Sequence, residues 1–484
     1  MVLRMHLLVD FPSIVKRYAP IFEDCFSEAH YKHFKKAVSG FIVSENKTIE
    51  GMNRIFVNDS TDQSTFNKFF NSDRYDLEYI NEKRLELLQG LASTRFKTGK
   101  KQNGVLSVDN SLLKHYGKKI DNIYYHFDYV HKCYRWSHDL VTLYYSDNKT
   151  DYPVYHRLWL PPDWEAVALF FRARNFTINQ QKWDNRNQHA QQWRNYIRSR
   201  YRQGRKKYPE VKQVYETKVH IAEGLIRKFC STYPDVDYPI ALDTGFTSAE
   251  LCEIITNELS RDYVGALQET QKMIDPKDGQ DIALKDYVAR LRKNHSSNSD
   301  DLDASEPQVK QIKYAYRGKE QSCYAYCGIH RIKGFKKKQK LVISFTRKDL
   351  TDMPRFTIVN RLDWHPVSIL QNRRHRWPVE TFHQEGKAEG LYKYQVRNYR
   401  AVQTYIGLVV VAFCMLKCAI QDDALQNEIQ QRLQMKTDGT LPFLRRLMKA
   451  EGLLLLMEYI FIKAQNGDFL ASIYQPLALK IAYT

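Results

Sequence analysis

Three acidic residues of this 484-residue chain stand where a reaction could use them. Asp109 lies at the end of the apolar run "GVLSVDNS", Asp243 at the end of "YPIALDTGF", and Glu380 within "RRHRWPVETFHQEGKAEG". We expect the two aspartates to follow neighbouring strands and the glutamate to lie on a helix packed beside them. Carboxylates arranged in this way can hold two divalent cations about 4 Å apart. Mg²⁺ is the expected occupant because it prefers oxygen ligands, and Mn²⁺ is the alternative.

Each carboxylate also has a simpler interpretation. An aspartate after a strand often caps a turn or a helix, and Glu380, placed between Arg376 and Lys387, fits an ordinary ion pair on a solvated helix. The occurrence of all three in one strongly basic chain favours the metal site. A pair of metal ions there would activate a water or a 3′-hydroxyl for in-line attack on a phosphodiester.

The bulk composition points to an acidic polymer as partner. The chain carries a formal net charge of +19 and has a sequence pI near 9.3. Phosphate neutralisation releases counterions, so a charge excess of this size favours nucleic acid over other partners. A hydrophobic content of 43% excludes a disordered chain. The longest apolar run, residues 405–416, is shorter than the ~20 residues of a spanning helix, and we expect a buried core helix and no membrane partner.

Two basic segments are candidate DNA contacts. The stretch "WRNYIRSRYRQGRKK" (193–207) interleaves cations with Trp and Tyr, a composition typical of nucleic-acid binding. Its candidate residues are Arg194, Arg198, Arg200, Arg202, Arg205, Lys206 and Lys207. The second segment, "KGFKKKQK" (333–340), places Lys336, Lys337 and Lys338 at a turn-like tip. The alternatives are a solvated helix for the first and lysines that guard a sheet edge for the second.

The eight cysteines show no spacing typical of a disulfide framework, which favours a reducing cytosol. In "CYAYCGIH", Cys323, Cys327 and His330 are close enough in sequence to suggest a zinc site. The set lacks a fourth ligand and a tighter Cys pair. The alternation of Tyr and Cys instead favours a strand.

The order of the predicted elements indicates an α/β protein. Residues 1–98 have the three- and four-residue apolar spacing of helices, and a Gly/Lys-rich linker begins at residue 98. Strands and helices alternate over 99–269, and 270–362 contain a helix, a second linker at 294–307 and several β-type runs. Residues 363–420 hold the Glu380 segment and the apolar helix, and 421–484 are helical and amphipathic.

The sequence resembles DDE-class insertion-sequence transposases of the group whose signature is Tyr-x2-Arg-x3-Glu-x6-Lys. Arg376, Glu380 and Lys387 match the last three positions, while Arg373 stands where the group carries tyrosine. "VLSVDNSLLKHYGKK" and "PIALDTGFTS" are similar to the two aspartate strands, and "YHRLWLPPDW" to the strand between them. The resemblance covers roughly residues 100–420.

The resemblance implies an RNase H-like core interrupted by a β-rich insertion between the second aspartate and the glutamate. It implies that Asp109, Asp243 and Glu380 are the catalytic metal ligands and that Arg376 and Lys387 contact DNA phosphates. The expected domains are a helical DNA-binding domain (1–98), two core segments (99–269 and 363–420), the insertion (270–362) and a C-terminal region (421–484) that is a candidate for dimerisation.

The expected activity is Mg²⁺-dependent cut-and-paste transposition by a homodimer on double-stranded DNA, at transposon ends and target, in a prokaryotic cytoplasm at the nucleoid. The alternatives are a catalytically inactive DNA-binding descendant and an RNase H-fold nuclease that cuts without joining.

Overall fold

A long mixed β-sheet organises the molecule. The computed structural model describes residues 8–57, 62–99, 104–296, 307–435 and 438–466. Within these ranges one ten-stranded sheet and one two-stranded sheet are formed. The strands are β1 Val105–Lys114, β2 Tyr124–Asp128, β3 Cys133–Ser146, β4 Asp151–Trp159, β5 Ile240–Leu242, β6 Tyr263–Leu267, β7 Lys272–Ile274, β8 Asp281–Ala283, β9 Lys310–Tyr316, β10 Lys319–His330, β11 Gln339–Phe345 and β12 Arg355–Val359.

Helices precede, interrupt and follow this sheet. Five lie before it, at α1 Ser13–Tyr18, α2 Glu28–Val43, α3 Ile49–Arg54, α4 Gln63–Asn71 and α5 Leu77–Gly90. Those between the strands are α6 Trp164–Arg172, α7 Gln180–Asp184, α8 Ala190–Lys207, α9 Lys218–Thr232, α10 Ala249–Glu253 and α11 Leu284–Ser296. The last five are α12 Pro366–Arg374, α13 Trp377–Glu389, α14 Tyr399–Gln421, α15 Asp423–Leu433 and α16 Leu441–Gln465.

One half of the sheet has the strand order and directions of an RNase H-like core, as predicted. The order is β4–β3–β1–β5–β6, with β3 antiparallel to β1 and β4, and with β1, β5 and β6 parallel. Every residue of β5 and β6 is buried, as expected for parallel strands covered on both faces. Helix α9 packs on one face, where Lys218 pairs with buried Asp139 of β3. Helix α13 packs on the other face, where His383 contacts Thr142 of β3.

The β-rich segment extends this same sheet. Strand β12 pairs antiparallel with β6, and β11, β10 and β9 follow in order. The β9–β10 turn contains Arg317 and Gly318, both with positive φ, as a tight two-residue hairpin requires. The sheet therefore runs without a break from the RNase H-like strands into residues 310–359.

The strand β10 gives no support to a zinc site. Cys323 and Cys327 are separated by an even number of residues and lie on one face, whereas His330 lies on the other. The His330 ring contacts the hydroxyl of Tyr326 at 2.8 Å. Among the described residues no group of three or more His, Cys, Asp or Glu is placed to hold a metal ion. The strand that the alternation of Tyr and Cys favoured is therefore confirmed, and strand alternation separates Cys323 and Cys327 from His330. All eight cysteines are free.

Helix α14 is the centre of the helical part of the core. Its apolar residues are buried against α2, α4 and α5, so the N-terminal helices share one continuous core with the sheet. The apolar run of residues 405–416 lies in a 23-residue helix. Our inference that this segment is too short to span a membrane was therefore wrong. Within the described residues it is the one helix long and apolar enough to cross a membrane, and 78% of its most apolar window is buried inside the protein.

Helices α6, α7 and α8 form a small unit between β4 and α9. Trp164, Phe171, Trp193, Ile197 and Tyr201 make a separate hydrophobic cluster there. Parts of the two predicted linkers, residues 100–103 and 297–306, and residues 467–484 of the predicted C-terminal region lie outside the described residues.

Candidate active site

The strand register brings the two aspartates together. Val108 of β1 is paired with Leu242, the last residue of β5, so the next residues, Asp109 and Asp243, are neighbours. Asp243 directly follows its strand as expected, whereas Asp109 lies midway along β1, which continues to Lys114 through its pairing with β3. Paired strands lie about 4.8 Å apart. One carboxylate oxygen of Asp243 accepts hydrogen bonds from the backbone N–H groups of Gly245 and Phe246, at 2.9 and 3.0 Å. Asp243 therefore caps the turn after β5, which confirms the simpler interpretation of this residue as a turn cap.

Glu380 reaches the same place from helix α13. The helix begins at Trp377 with Pro378 as its second residue, where the missing N–H of proline leaves no hydrogen bond unmade. Glu380 consequently lies in the first turn, where the positive end of the helix dipole favours an ionised carboxylate. The helix ends at Gly390 in the left-handed conformation.

Arg376 joins two of the three carboxylates. Its guanidinium pairs with Glu380, four residues along the helix, and its Nη1 lies 3.3 Å from Oδ2 of Asp109. The Arg376 and Asp109 side chains are each 13% exposed. The ordinary ion pair that the sequence suggested for Glu380 therefore exists, and it includes the first aspartate. Arg376 itself has helical backbone angles at the start of α13.

The three carboxylates influence one another electrostatically. Burial and the charge of Asp243 raise the pKa of Asp109 to about 7, against the opposing effect of Arg376. Glu380 raises the pKa of Asp109 further, to a smaller extent. Mutual repulsion of this kind is typical of carboxylates that share a site and lack a full counter-charge.

The donors fit a hard divalent cation, although the side chains are not arranged as a metal site here. All three are carboxylates, the ligand type that Mg²⁺ and Mn²⁺ prefer. The Arg376 guanidinium lies between two of them and supplies the positive charge. This agrees with the lack of a metal-binding group among the described residues.

A family model described as DDE superfamily endonuclease matches residues 22–318 of the chain, more than half of its length. The match includes both Asp109 and Asp243 and ends before Glu380. The chain belongs to the DDE superfamily endonucleases.

A cryo-EM structure of the piggyBac transposase synaptic complex with hairpin DNA is similar at 10% sequence identity, covering 99% of this chain and 84% of that chain, with a TM-score of 0.42. No curated protein sequence matches this endonuclease significantly.

Two residues of the endonuclease at this site have contacts that the sequence did not predict. Arg373, at the position where the resembling group carries tyrosine, donates to the backbone carbonyl of Leu242 at 3.5 Å. Burial and the charge of Arg376 lower the pKa of Arg373 to about 10. His383 lies against Thr142, with its Nε2 3.4 Å from the threonine hydroxyl, and burial lowers the pKa of His383 to about 3. The spacing of His383, three residues after Glu380 on one helix face, was the available signal.

Lys387 lies farther along the same face of α13. It is half-buried, and burial together with the charge of Lys114 lowers the pKa of Lys387. No ion pair of Lys387 is formed within the described residues. Its predicted phosphate contact stays a prediction.

Helix α8 of the endonuclease separates into a buried and a cationic face. Trp193 and Tyr201 are buried, so the aromatic residues that suggested base contacts instead form the core of the α6–α8 unit. Arg200 stacks on Phe176 and donates to the carbonyl of Thr177, and Arg205 pairs with Glu250. The exposed cations of the helix are Arg194, Arg198, Arg202, Lys206 and Lys207.

The lysine tip between β10 and β11 folds towards the helix that follows β5. Lys336 pairs with Glu253 at 2.7 Å, and Lys337 donates to Asn257 at 3.2 Å. Lys338 is exposed. Two of the three lysines thus have local partners on the protein surface, and their DNA contact stays a prediction.

Proposed function

We propose that this chain is a DNA transposase that binds terminal inverted repeats, cleaves at the transposon ends and joins them to target DNA. The observation that carries the proposal is the meeting of three carboxylates in a DDE superfamily endonuclease: Asp109 midway along β1, Asp243 directly after β5, and Glu380 in the first turn of α13. In open α/β sheets the carboxyl end of the parallel strands is the usual place for a site.

Asp109, Asp243 and Glu380 would hold two Mg²⁺ ions, which when bound supply activation of a water or 3′-hydroxyl and stabilisation of the leaving oxygen. The protein's own residues prepare this arrangement. Neutral His383, held against Thr142, fixes α13 on the sheet so that Glu380 faces β1. Arg376 offsets part of the negative charge of Asp109 and Glu380, and we propose that its guanidinium contacts a phosphate of bound DNA.

The partner is double-stranded DNA, at the transposon ends and at the target. Arg194, Arg198, Arg202 and Lys206 recur at intervals of four residues along α8 and form one exposed row. A row of cations on a rigid helix suits a phosphate backbone. We propose that the protein acts as a homodimer on two ends, in a prokaryotic cytoplasm at the nucleoid.

The decisive experiment uses labelled end DNA, a plasmid target and Mg²⁺. Asp109→Asn, Asp243→Asn and Glu380→Gln should each abolish strand cleavage and retain end binding in a gel shift, because only the metal-binding charge is removed. Glu320→Gln, at an exposed glutamate of β10 that pairs with Lys313, is the matched control and should cleave normally. Full cleavage by any of the three variants would remove that residue from the site.

The same assay separates the alternatives. Cleavage by the wild-type protein without a joined product would identify a nuclease that does not join strands. Intact end binding with no cleavage in Mg²⁺ or Mn²⁺ would identify an inactive DNA-binding descendant.

A further inference from the structure

The β2–β3 hairpin carries four aromatic rings in one continuous layer. Tyr125 lies opposite Trp136, and Phe127 lies opposite Tyr134, so the four side chains share one face of the hairpin. The ring centroids of both cross-strand pairs are 5.1–5.2 Å apart. Tyr125 and Tyr134 stack diagonally at 5.3 Å with ring planes 22° apart. We call these four residues the aromatic face.

The aromatic face is open to solvent. Tyr125 is 50% exposed and Tyr134 is 58% exposed, and the neighbouring Tyr129, whose ring contacts Phe127, is 76% exposed. The opposite face of the hairpin is accounted for by packing, because Tyr124 and His126 lie against Trp159. One face of the hairpin is therefore packed against the rest of the protein. The aromatic face, on the other side, takes no part in the hydrophobic core of the described residues.

The aromatic face lies on the same side of the sheet as the candidate active site. Asp109 is paired with Thr142, and Thr142 is separated from Trp136 and Tyr134 by even numbers of residues along β3. Side chains alternate along a strand, so all of them point to the face that α13 covers. Thr142 and Trp136 are six residues apart, or roughly 20 Å at about 3.3 Å per residue.

The charge around the aromatic face favours a nucleic acid. Lys118, Lys119 and Lys132 are exposed and form no ion pair within the described residues, and the Lys118 ammonium lies 5.9 Å from the Trp136 ring centroid. The nearby Asp128 is buried and paired with Lys114 and His131. Aromatic rings beside cations are the composition that binds unpaired nucleotides, because every base has a face that can stack.

We propose that the aromatic face stacks unpaired bases of a DNA strand that leaves the carboxylate site. This inference rests on the proposed function for the identity of the strand, and it adds that the DNA is unpaired beyond the site. A distance of roughly 20 Å corresponds to at most about six nucleotide steps, because 3.4 Å per step is the duplex spacing and an unpaired strand is more extended.

The test measures fluorescence anisotropy of the full chain with a labelled single-stranded oligonucleotide and with its duplex. Tyr125→Ala/Tyr134→Ala should weaken single-strand binding by about tenfold or more, since each stacked base contributes this much, and should change duplex binding far less. Tyr125→Phe/Tyr134→Phe retains both rings and should bind like the wild type. Tyr116→Ala, at a fully exposed tyrosine outside the hairpin, is the matched control.

Unchanged single-strand affinity of the double alanine variant, with an unchanged melting temperature, would overturn the proposal. A lower molecular mass in light scattering, with unchanged DNA binding, would overturn it in favour of a surface between copies of this chain. The Asp109→Asn variant separates this inference from the proposed function, because it should keep full single-strand binding whether or not the wild type cleaves. A 5-iodouracil placed in the unpaired strand within about six nucleotides of the cut should photocrosslink to residues 124–136.

Discussion

At the residue scale, the candidate site is defined by one arginine between two carboxylates. Arg376 pairs with both Asp109 and Glu380, although these residues come from a strand and a helix far apart in sequence. Removal of one partner of a buried ion pair leaves an uncompensated charge. Arg376 thus stabilises a site whose carboxylates, on the proposed function, exist to bind metal.

This contact gives a prediction about metal and stability. The Arg376→Met variant should melt lower than the wild type in EDTA, because Asp109 and Glu380 lose their counter-charge. Mg²⁺ should then raise the melting temperature of the variant by about 2 °C or more beyond its effect on the wild type, since a ligand bound by the native state stabilises it. Arg374→Met, at a neighbouring arginine that stacks on Tyr316, is the control. Equal Mg²⁺ effects in all three proteins would contradict the expectation.

At the element scale, buried ion pairs connect elements that are distant in sequence. Arg317 in the β9–β10 turn and Lys417 of α14 both pair with Asp151, at the start of β4, at 2.6 and 3.0 Å. At the other end of α13, Glu389 is fully buried and lies 2.9 Å from Arg445 of α16. Ion pairs as well as packing therefore hold the β9–β10 hairpin, the RNase H-like strands and helix α16 in their relative positions.

The Asp151 contacts predict a pH-dependent stability. Burial opposes the ionised form, but Lys417 and Arg317 outweigh it and lower the pKa of Asp151 to about 2, below the ~3.9 of an unfolded aspartate. The stabilisation is present above the unfolded pKa and is lost as the pH falls from about 4 through 2. Asp151→Asn should lower the unfolding free energy by about 2–3 kcal/mol at pH 7, and this difference should shrink towards pH 2.

Urea denaturation at several pH values measures this difference. Asp235→Asn, at an exposed aspartate, is the control and should change stability by less than about 0.5 kcal/mol. A difference for Asp151→Asn that does not vary with pH would contradict the charge argument.

The two faces of α8 give separate predictions. Trp193→Ala should lower the stability of the α6–α8 unit by about 3–5 kcal/mol, because a buried tryptophan is lost. Arg202→Ala should leave thermal stability unchanged and should reduce the salt dependence of duplex binding by about 0.9 in the slope of log K against log salt. Thermal melts and anisotropy titrations measure the two effects. A stable Trp193→Ala protein with weak DNA binding would reverse the assignment of the faces.

At the scale of the whole molecule, the protein has one main hydrophobic core and a large excess of positive charge. The N-terminal helices, the sheet and α14 share a continuous hydrophobic cluster, so the N-terminal helices and the sheet cannot unfold independently without exposing that core. The net charge of +19 is distributed over a surface that includes the α8 row and the lysines around the aromatic face. Such a field attracts polyanions at long range and is screened by salt.

The charge predicts that end binding weakens steeply with added salt. If about six phosphates are neutralised, the affinity should fall about 10³-fold between 50 and 200 mM salt. Anisotropy titrations of the wild-type protein on duplex ends over this range measure the fall. A flat response would exclude the basic surfaces as the main source of affinity.

Much of the fold and the composition of the candidate site could be predicted from the sequence. The RNase H-like core was predicted through the resemblance, and the strand order confirms it. Its strands could be predicted because the apolar runs that end in Asp109 and Asp243 indicate buried strands from the local sequence alone. The expected position of Glu380 on a helix packed beside the strands is also found in the structure. The roles of these carboxylates remain predictions until the variants are tested.

Contacts across the molecule could not be predicted, because a local pattern fixes an element and not its neighbours. The sequence suggested that the aromatic residues of α8 contact DNA bases, but tertiary packing buries Trp193 and Tyr201. Conversely, nothing in the sequence indicated that the strand residues Tyr125 and Tyr134 are special, and only the fold shows that their rings are exposed to solvent. The sequence by itself determined which residues could bind metal. Only the tertiary structure decided that Arg376 lies between Asp109 and Glu380, since that position depends on how α13 packs against β1.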